Sequence, residues 1–122
     1  MARISLRLGF DGDRALGPGK VRLLELIAET GSISAAGRAM KMSYRRAWML
    51  VDELNRMFRE PLVEARPGGA HGGGAHLTGA GDDVIQRYRE IESNLTAGAN
   101  AHIAALEKML ANPKRYSSSK LA

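Results

Sequence analysis

The sequence predicts a mainly α fold with a small β wing, and three observations carry that prediction. Between Lys20 and Phe58 three amphipathic helical stretches follow one another with only a few residues between them. Two short strand candidates, 62–66 and 75–77, then flank the glycine-rich stretch RPGGAHGGGAH. A last apolar stripe runs at helical spacing from Val84 to Met109.

Taken in order, Ile4, Leu6, Leu8 and Phe10 alternate with Arg3, Ser5, Arg7 and Gly9, the period-two pattern of a half-buried strand. Asp11-Gly12 is a tight-turn signal, so residues 14–16 return as a short partner and give an amino-terminal β-hairpin. Gly17-Pro18-Gly19 ends that unit. From Lys20, the residues Val21, Leu24, Ile27 and Ala28 recur every three or four positions, and Gly31 is a natural helix stop. Ser32 or Ser34 can cap a short second helix carrying Ile33, Ala36, Ala39 and Met40, whose small residues Ala35, Ala36 and Ala39 let the next helix approach closely. Ser43 offers the cap of a third helix reaching to about Phe58, with Ala47, Leu50, Val51, Leu54 and Phe58 in one stripe at about 100° per residue. Pro61 stops its continuation.

After the strand pair, Thr78 can cap a final helix that carries Asp82 and Asp83 near its first turn, where acids suit the helix dipole. Val84, Tyr88, Ile91, Leu95, Ala99, His102, Leu106 and Met109 form its stripe, ending before Pro113. A run of about 30 residues spans roughly 45 Å, more than a domain of this size covers by itself, so a second copy of the chain is the expected cover. Gly98 interrupts the stripe as a kink or a close helix contact.

Helix, two closely spaced helices, strand pair and long helix are the order of a winged helix-turn-helix, here with an amino-terminal β-hairpin and a long carboxy-terminal dimerisation helix. The expected organisation is one domain over 1–112, its dimerisation helix over about 78–112, and a polar, disordered tail over 113–122.

Composition narrows the function. No apolar run approaches the roughly 18 residues of a membrane span, no signal-peptide stretch opens the chain and no cysteine is present, so a cytoplasmic protein without membrane contact is expected. The net charge of +5 favours an acidic partner, nucleic acid first. From Arg38 to Arg66 there are seven Lys/Arg (Arg38, Lys41, Arg45, Arg46, Arg56, Arg59, Arg66) against four acids (Asp52, Glu53, Glu60, Glu64). An enzyme is hard to build: Asp82 and Asp83 point to different faces of a helix, and no nucleophile has an evident base. The glycine stretch lacks the lysine and hydroxyl of a nucleotide-binding loop. His71 and His76 stand five apart without a third ligand, so neither a metal site nor any other cofactor is expected.

In a helix-turn-helix the second helix braces the third, whose amino-terminal part presents side chains to the major groove of double-stranded DNA. With Ala47 and Val51 facing the core, the wheel puts Arg45, Met49, Asp52 and Arg56 opposite, Arg46 to one side, and Tyr44 and Trp48 on the flank. Arg45 is the first choice for a base contact, because a guanidinium fork matches guanine O6 and N7, while hydroxyls of Ser34, Ser43 and Tyr44 can hold phosphates. In the wing, Gly69 and Gly73 let backbone amides approach phosphates, Arg66 supplies charge at the base, and His71 and His76 add charge below about pH 6.5.

GSISAAGRAMKMSYRRAWMLVDELN followed by LVEARPGGAHGGGAHLTGAG resembles the amino-terminal DNA-binding domain of the molybdate-dependent, ModE-type transcriptional regulators, whose helix-turn-helix is similar to that of LysR-type regulators. The resemblance extends from about Gly19 to near Leu110. It implies a winged helix-turn-helix that dimerises and binds a palindromic operator, with Ser43, Tyr44, Arg45, Arg46 and Trp48 in the recognition segment. Two departures stand out. Molybdate-sensing members carry a separate carboxy-terminal domain, so molybdate binding is not carried over and a chain without its own sensing domain is expected. Lys41 occupies the turn between the second and third helices, where glycine is common; a left-handed lysine there costs about 1 kcal/mol or more. The competing reading is an interaction module that dimerises or recruits an effector-sensing protein and binds DNA weakly or without specificity.

Overall fold

The computed structural model describes residues 2–66 and 74–116. At the amino terminus the period-two pattern outruns the pairing. Strand β1 (Leu8–Gly9) pairs antiparallel with β2 (Ala15–Leu16), Leu8 opposite Leu16, around a turn in which Gly12 and Asp13 have φ of 74° and 63°. Ile4 and Leu6 keep the alternating burial without a partner strand. Their segment is held elsewhere: the Tyr88 hydroxyl donates to the Leu6 carbonyl at 2.6 Å, and the Ala2 amide donates to the Glu107 carboxylate at 3.0 Å.

Helix α1 (Pro18–Thr30) starts two residues before Lys20, because a proline preset near helical φ is well suited to the first helical position. It ends at Gly31, whose φ of 72° lets its amide reach the Ile27 carbonyl at 2.8 Å. Helix α2 (Ile33–Ala39) is capped by Ser32, whose hydroxyl oxygen accepts the Ala35 N–H at 3.0 Å, leaving Ser34 free of that role. Helix α3 (Tyr44–Met57) is capped by Ser43, which accepts the Arg46 N–H at 3.1 Å. Each cap satisfies an orphan amide and contributes about 1 kcal/mol. Strands β3 (Val63–Ala65) and β4 (Ala75–Leu77) pair antiparallel with Glu64 opposite His76. Thr78 accepts the Gly81 N–H at 3.1 Å and opens α4 (Gly79–Met109). The start of the expected tail turns back, with the Arg115 and Tyr116 amides donating to the Asn112 carbonyl.

Helix α1 is the centre of the core. Val21, Leu23, Leu24, Leu26 and Ile27 are all buried, more than one amphipathic face would hide, because α2 and α3 pack on one side while β4 and α4 close the other. Polar side chains fasten these layers together. The Asn55 side chain of α3 accepts the Leu62 and Val63 amides at 2.8 and 3.1 Å and donates to the Val63 carbonyl at 3.1 Å, which ties β3 to α3. The Ala75 amide donates to the Gly31 carbonyl at 2.9 Å, which ties β4 to the corner between α1 and α2. Arg89 of α4 forks onto Glu25 of α1 at 2.9 and 3.0 Å, and its hydrogen bonds hold the Glu25 carboxyl below the usual carboxylate range. Burial pushes the neighbouring Tyr88 hydroxyl up.

Three sequence expectations change here. Tyr88, assigned to the dimer stripe, is 1% exposed and sealed in the chain's own core, so it has no area left to bury against a second copy. Ala39 is exposed, and the close approach of α2 to α3 is made by Gly37 instead, where a methyl group would lie 2.8 Å from Ala47 Cβ. Helix α4 runs unbroken through Gly98, where a methyl group would meet nothing within 4 Å, so Gly98 makes no close contact inside the chain.

Gly37→Ala is therefore expected to destabilise the fold by about 1–3 kcal/mol through overpacking, whereas Ala39→Ser stays within about 0.5 kcal/mol. Urea denaturation of both variants checks this, and equal midpoints would show that α2 and α3 can move apart freely.

Candidate nucleic-acid interface

The surface of α3 follows from what the core takes. Ala47, Val51 and Leu54 are buried, which turns Arg45, Met49, Asp52 and Arg56 outward, all of them exposed. Further along the helix the outward charge is neutralised, since Arg56 Nε lies 3.0 Å from Asp52. At the amino-terminal half it is not: among the described residues neither Arg45 nor Arg46 has an ion-pair partner. Beside them Tyr44, Trp48 and Met49 are 59%, 37% and 58% exposed, with the Tyr44 and Trp48 rings edge to face at 6.2 Å. Free guanidinium forks next to exposed apolar side chains suit the edges of base pairs, where acceptors and thymine methyl groups alternate.

The structure brings the helix-turn-helix candidates together around this face. Ser43 is committed first to capping, so its hydroxyl hydrogen remains for a phosphate. Ser34 accepts a hydrogen bond from Arg38 at 2.9 Å. That contact adds exposed Arg38, a residue the wheel of α3 had no means to place, because it lies on α2. The turn between the helices does adopt the left-handed conformation, with Lys41 at φ 59°. Its amide donates to the Arg38 carbonyl at 2.9 Å and the Met42 amide to the Gly37 carbonyl at 3.0 Å, so two backbone hydrogen bonds hold the strained residue in place.

The wing is visible at its base. The Arg66 amide donates to the Gly74 carbonyl at 2.7 Å, and the Arg66 side chain is exposed. Gly69, His71 and Gly73 lie outside the described residues. His76 faces across the strand pair to Glu64 at 3.1 Å, so its ring meets a carboxylate rather than an open surface.

On α4, Val84 is half-buried against the chain's own core, and Ala99 is half-buried. Ile91, Leu95, His102 and Leu106 are exposed, Leu95 by 45% and Leu106 by 62%. Among the described residues no helix is long and apolar enough to cross a membrane, and no three His, Cys, Asp or Glu side chains gather as a metal site would require.

Residues 19–82 match the family model of the bacterial regulatory helix-turn-helix proteins, lysR family. Among individual relatives, the molybdenum-pterin-binding protein MopA of Rhodobacter capsulatus is 44% identical over 92 residues, 75% of this chain and 35% of MopA. The DNA-binding transcriptional dual regulator ModE of Escherichia coli is 39% identical over 87 residues, 71% of this chain and 33% of ModE. The chain thus spans about a third of the length of the curated relatives it matches. The crystal structure of a complex of the CbnR DNA-binding domain with DNA superposes with a TM-score of 0.55 at 22% identity, covering 72% of this chain and 95% of that one, and so shares the fold.

The strain at residue 41 gives a direct test of the turn. Lys41→Gly is expected to raise stability by about 1 kcal/mol by relieving the left-handed conformation, while Lys41→Ala gains nothing. Thermal unfolding of the two variants distinguishes them, and equal shifts would exclude a left-handed turn in solution.

Proposed function

Because the chain belongs to the lysR family of bacterial regulatory helix-turn-helix proteins, we propose that it binds a palindromic operator as a homodimer and regulates transcription by occupying it. Family membership places it among DNA-binding transcriptional regulators rather than enzymes. The observation that carries the finer reading is the face of α3: Arg45 and Arg46 without ion-pair partners among the described residues, beside exposed Tyr44, Trp48 and Met49. Arg45 points away from the core and reads a base. Ser34, Ser43, Tyr44 and Arg46 take phosphates alongside, and Arg66 with the wing residues Gly69, His71 and Gly73 follows the backbone on the other flank.

Dimerisation is supported by the apolar residues that α4 leaves in water beyond its own core, Ile91, Leu95 and Leu106. Ala99 and His102 complete that stripe, and Val84 lies at its edge. A two-fold pair of recognition helices asks for half-sites about 34 Å apart, one turn of duplex. The DNA-facing surface is assembled by its own caps and core, so binding in the cytoplasm proceeds without molybdate. The molybdenum for which relatives such as MopA are named has no part in this step.

Selection from a random duplex pool, followed by titration in molybdate-free buffer, tests the reading. An inverted repeat is expected to emerge, and Arg45→Ala to cost about 1–3 kcal/mol with relaxed preference at one base pair of each half-site. Unchanged discrimination would remove Arg45 from base readout. Light scattering at micromolar concentration is expected to give the mass of two chains for the wild type and of one for Leu95→Glu; a monomeric wild type would rule out the dimer.

A further inference from the structure

The amino-terminal hairpin has no place in the function described so far, yet it stands beside the recognition helix. A groove of about 370 Å³ opens between them, with Arg7 and Ala15 of the hairpin and Gly17 at the start of α1 on one side, and Arg46 and Leu50 of α3 with Met42 of the preceding turn on the other. Asn55 ties the opposite flank of α3 to the wing, so α3 lies between two β elements, the wing on one side and the hairpin on the other.

The charges of this groove sort themselves by what they already hold. Lys20, which also lines it, is spent: its ammonium lies 2.6 Å from Glu53 and 2.9 Å from the Ala15 carbonyl. Arg14 of the hairpin turns away from the groove, with Nε donating to the Asp11 carbonyl at 2.7 Å and a longer contact of 3.4 Å to the Met57 carbonyl. Arg7 and Arg46 have no side-chain partner among the described residues, and both are exposed. Arg7 is not loose, however: its stem crosses Gly17, where a methyl group would lie 3.8 Å from Cγ, and Nη1 reaches over Gly9. Thus an unpartnered arginine lines each wall, Arg7 through a stem held at Gly17 and Arg46 from α3, and Glu53 of α3 is already neutralised by Lys20.

We propose that Arg7 and Arg46 form a clamp for a backbone phosphate of the DNA strand that borders the major groove on the side of α3 away from the wing. The proposal rests on the regulator reading above. It makes the hairpin a second wing: a β element whose Arg7 fixes register along the duplex and carries no sequence preference of its own. A phosphodiester fits the chemistry because two guanidinium forks at an open groove match its anionic oxygens, and because Arg46 of the groove is the chain neighbour of Arg45.

The test measures anisotropy of the full chain on a labelled random-sequence duplex of about 30 base pairs across a salt series from about 50 to 200 mM. Arg7→Ala is expected to weaken binding several-fold and to reduce the slope of log affinity against log salt by about 1, equally on the random duplex and on the selected operator. Arg7→Gln, which keeps most of the stem over Gly17, is expected to show the same reduction, whereas Arg7→Lys and Arg115→Ala keep the wild-type slope. A wild-type slope in Arg7→Gln overturns the clamp and leaves the regulator reading standing. A wild type that binds neither duplex overturns the regulator reading and the clamp with it.

Discussion

The rest of the structure depends on the burial of the apolar residues of α1. Five of its thirteen residues are buried, while Arg22, Ala28 and Glu29 stay on its solvent side. Each fully buried leucine or isoleucine there contributes about 1.5–3 kcal/mol relative to exposure. Burying them requires α2 and α3 on one side and β4 with α4 on the other. The direction in which α3 presents its outer face is therefore set by α1, not by α3 itself. The close contact at Gly37 and Ala47 then fixes how deeply α3 sits against α2.

Polar contacts add direction to that packing. Asn55 spends its whole side-chain amide on the backbone of residues 62 and 63, so the wing cannot pivot without stripping three hydrogen bonds from a partly buried group. Arg89 and Glu25 do the same for the root of α4, although a fork at the edge of solvent contributes on the order of 1 kcal/mol or less. With wing and long helix both anchored, the charges of α3 divide by position. Those toward its carboxyl end are internally paired, Asp52 with Arg56 and Glu53 with Lys20, and those at its amino end are left for an acidic ligand.

Much of this was legible in order and spacing. Ser43, Thr78 and Gly31 mark their helix ends where local hydrogen bonding alone decides, and the α3 stripe predicts which residues face outward. The left-handed turn at Lys41 was visible as a departure from glycine. What the pattern overstated was the first strand, since alternation reports which side chains are buried and not which backbone groups pair. It also misplaced Tyr88, because a long helical stripe does not reveal where the chain's own core ends and another surface begins.

By itself the sequence determined the helices, their caps and the outward stripe of α3, since these rest on residues within a few positions of one another, while the strand pair was legible only as two short runs flanking a glycine stretch. Only the tertiary structure decided that Gly37 rather than Ala39 sets the helix contact, that Tyr88 closes over Leu6, and that Arg7 stands across a groove from Arg46. Those facts depend on residues 10 to 82 positions apart meeting in space. Such meetings are chosen by the mutual burial of whole elements, which no local periodicity encodes.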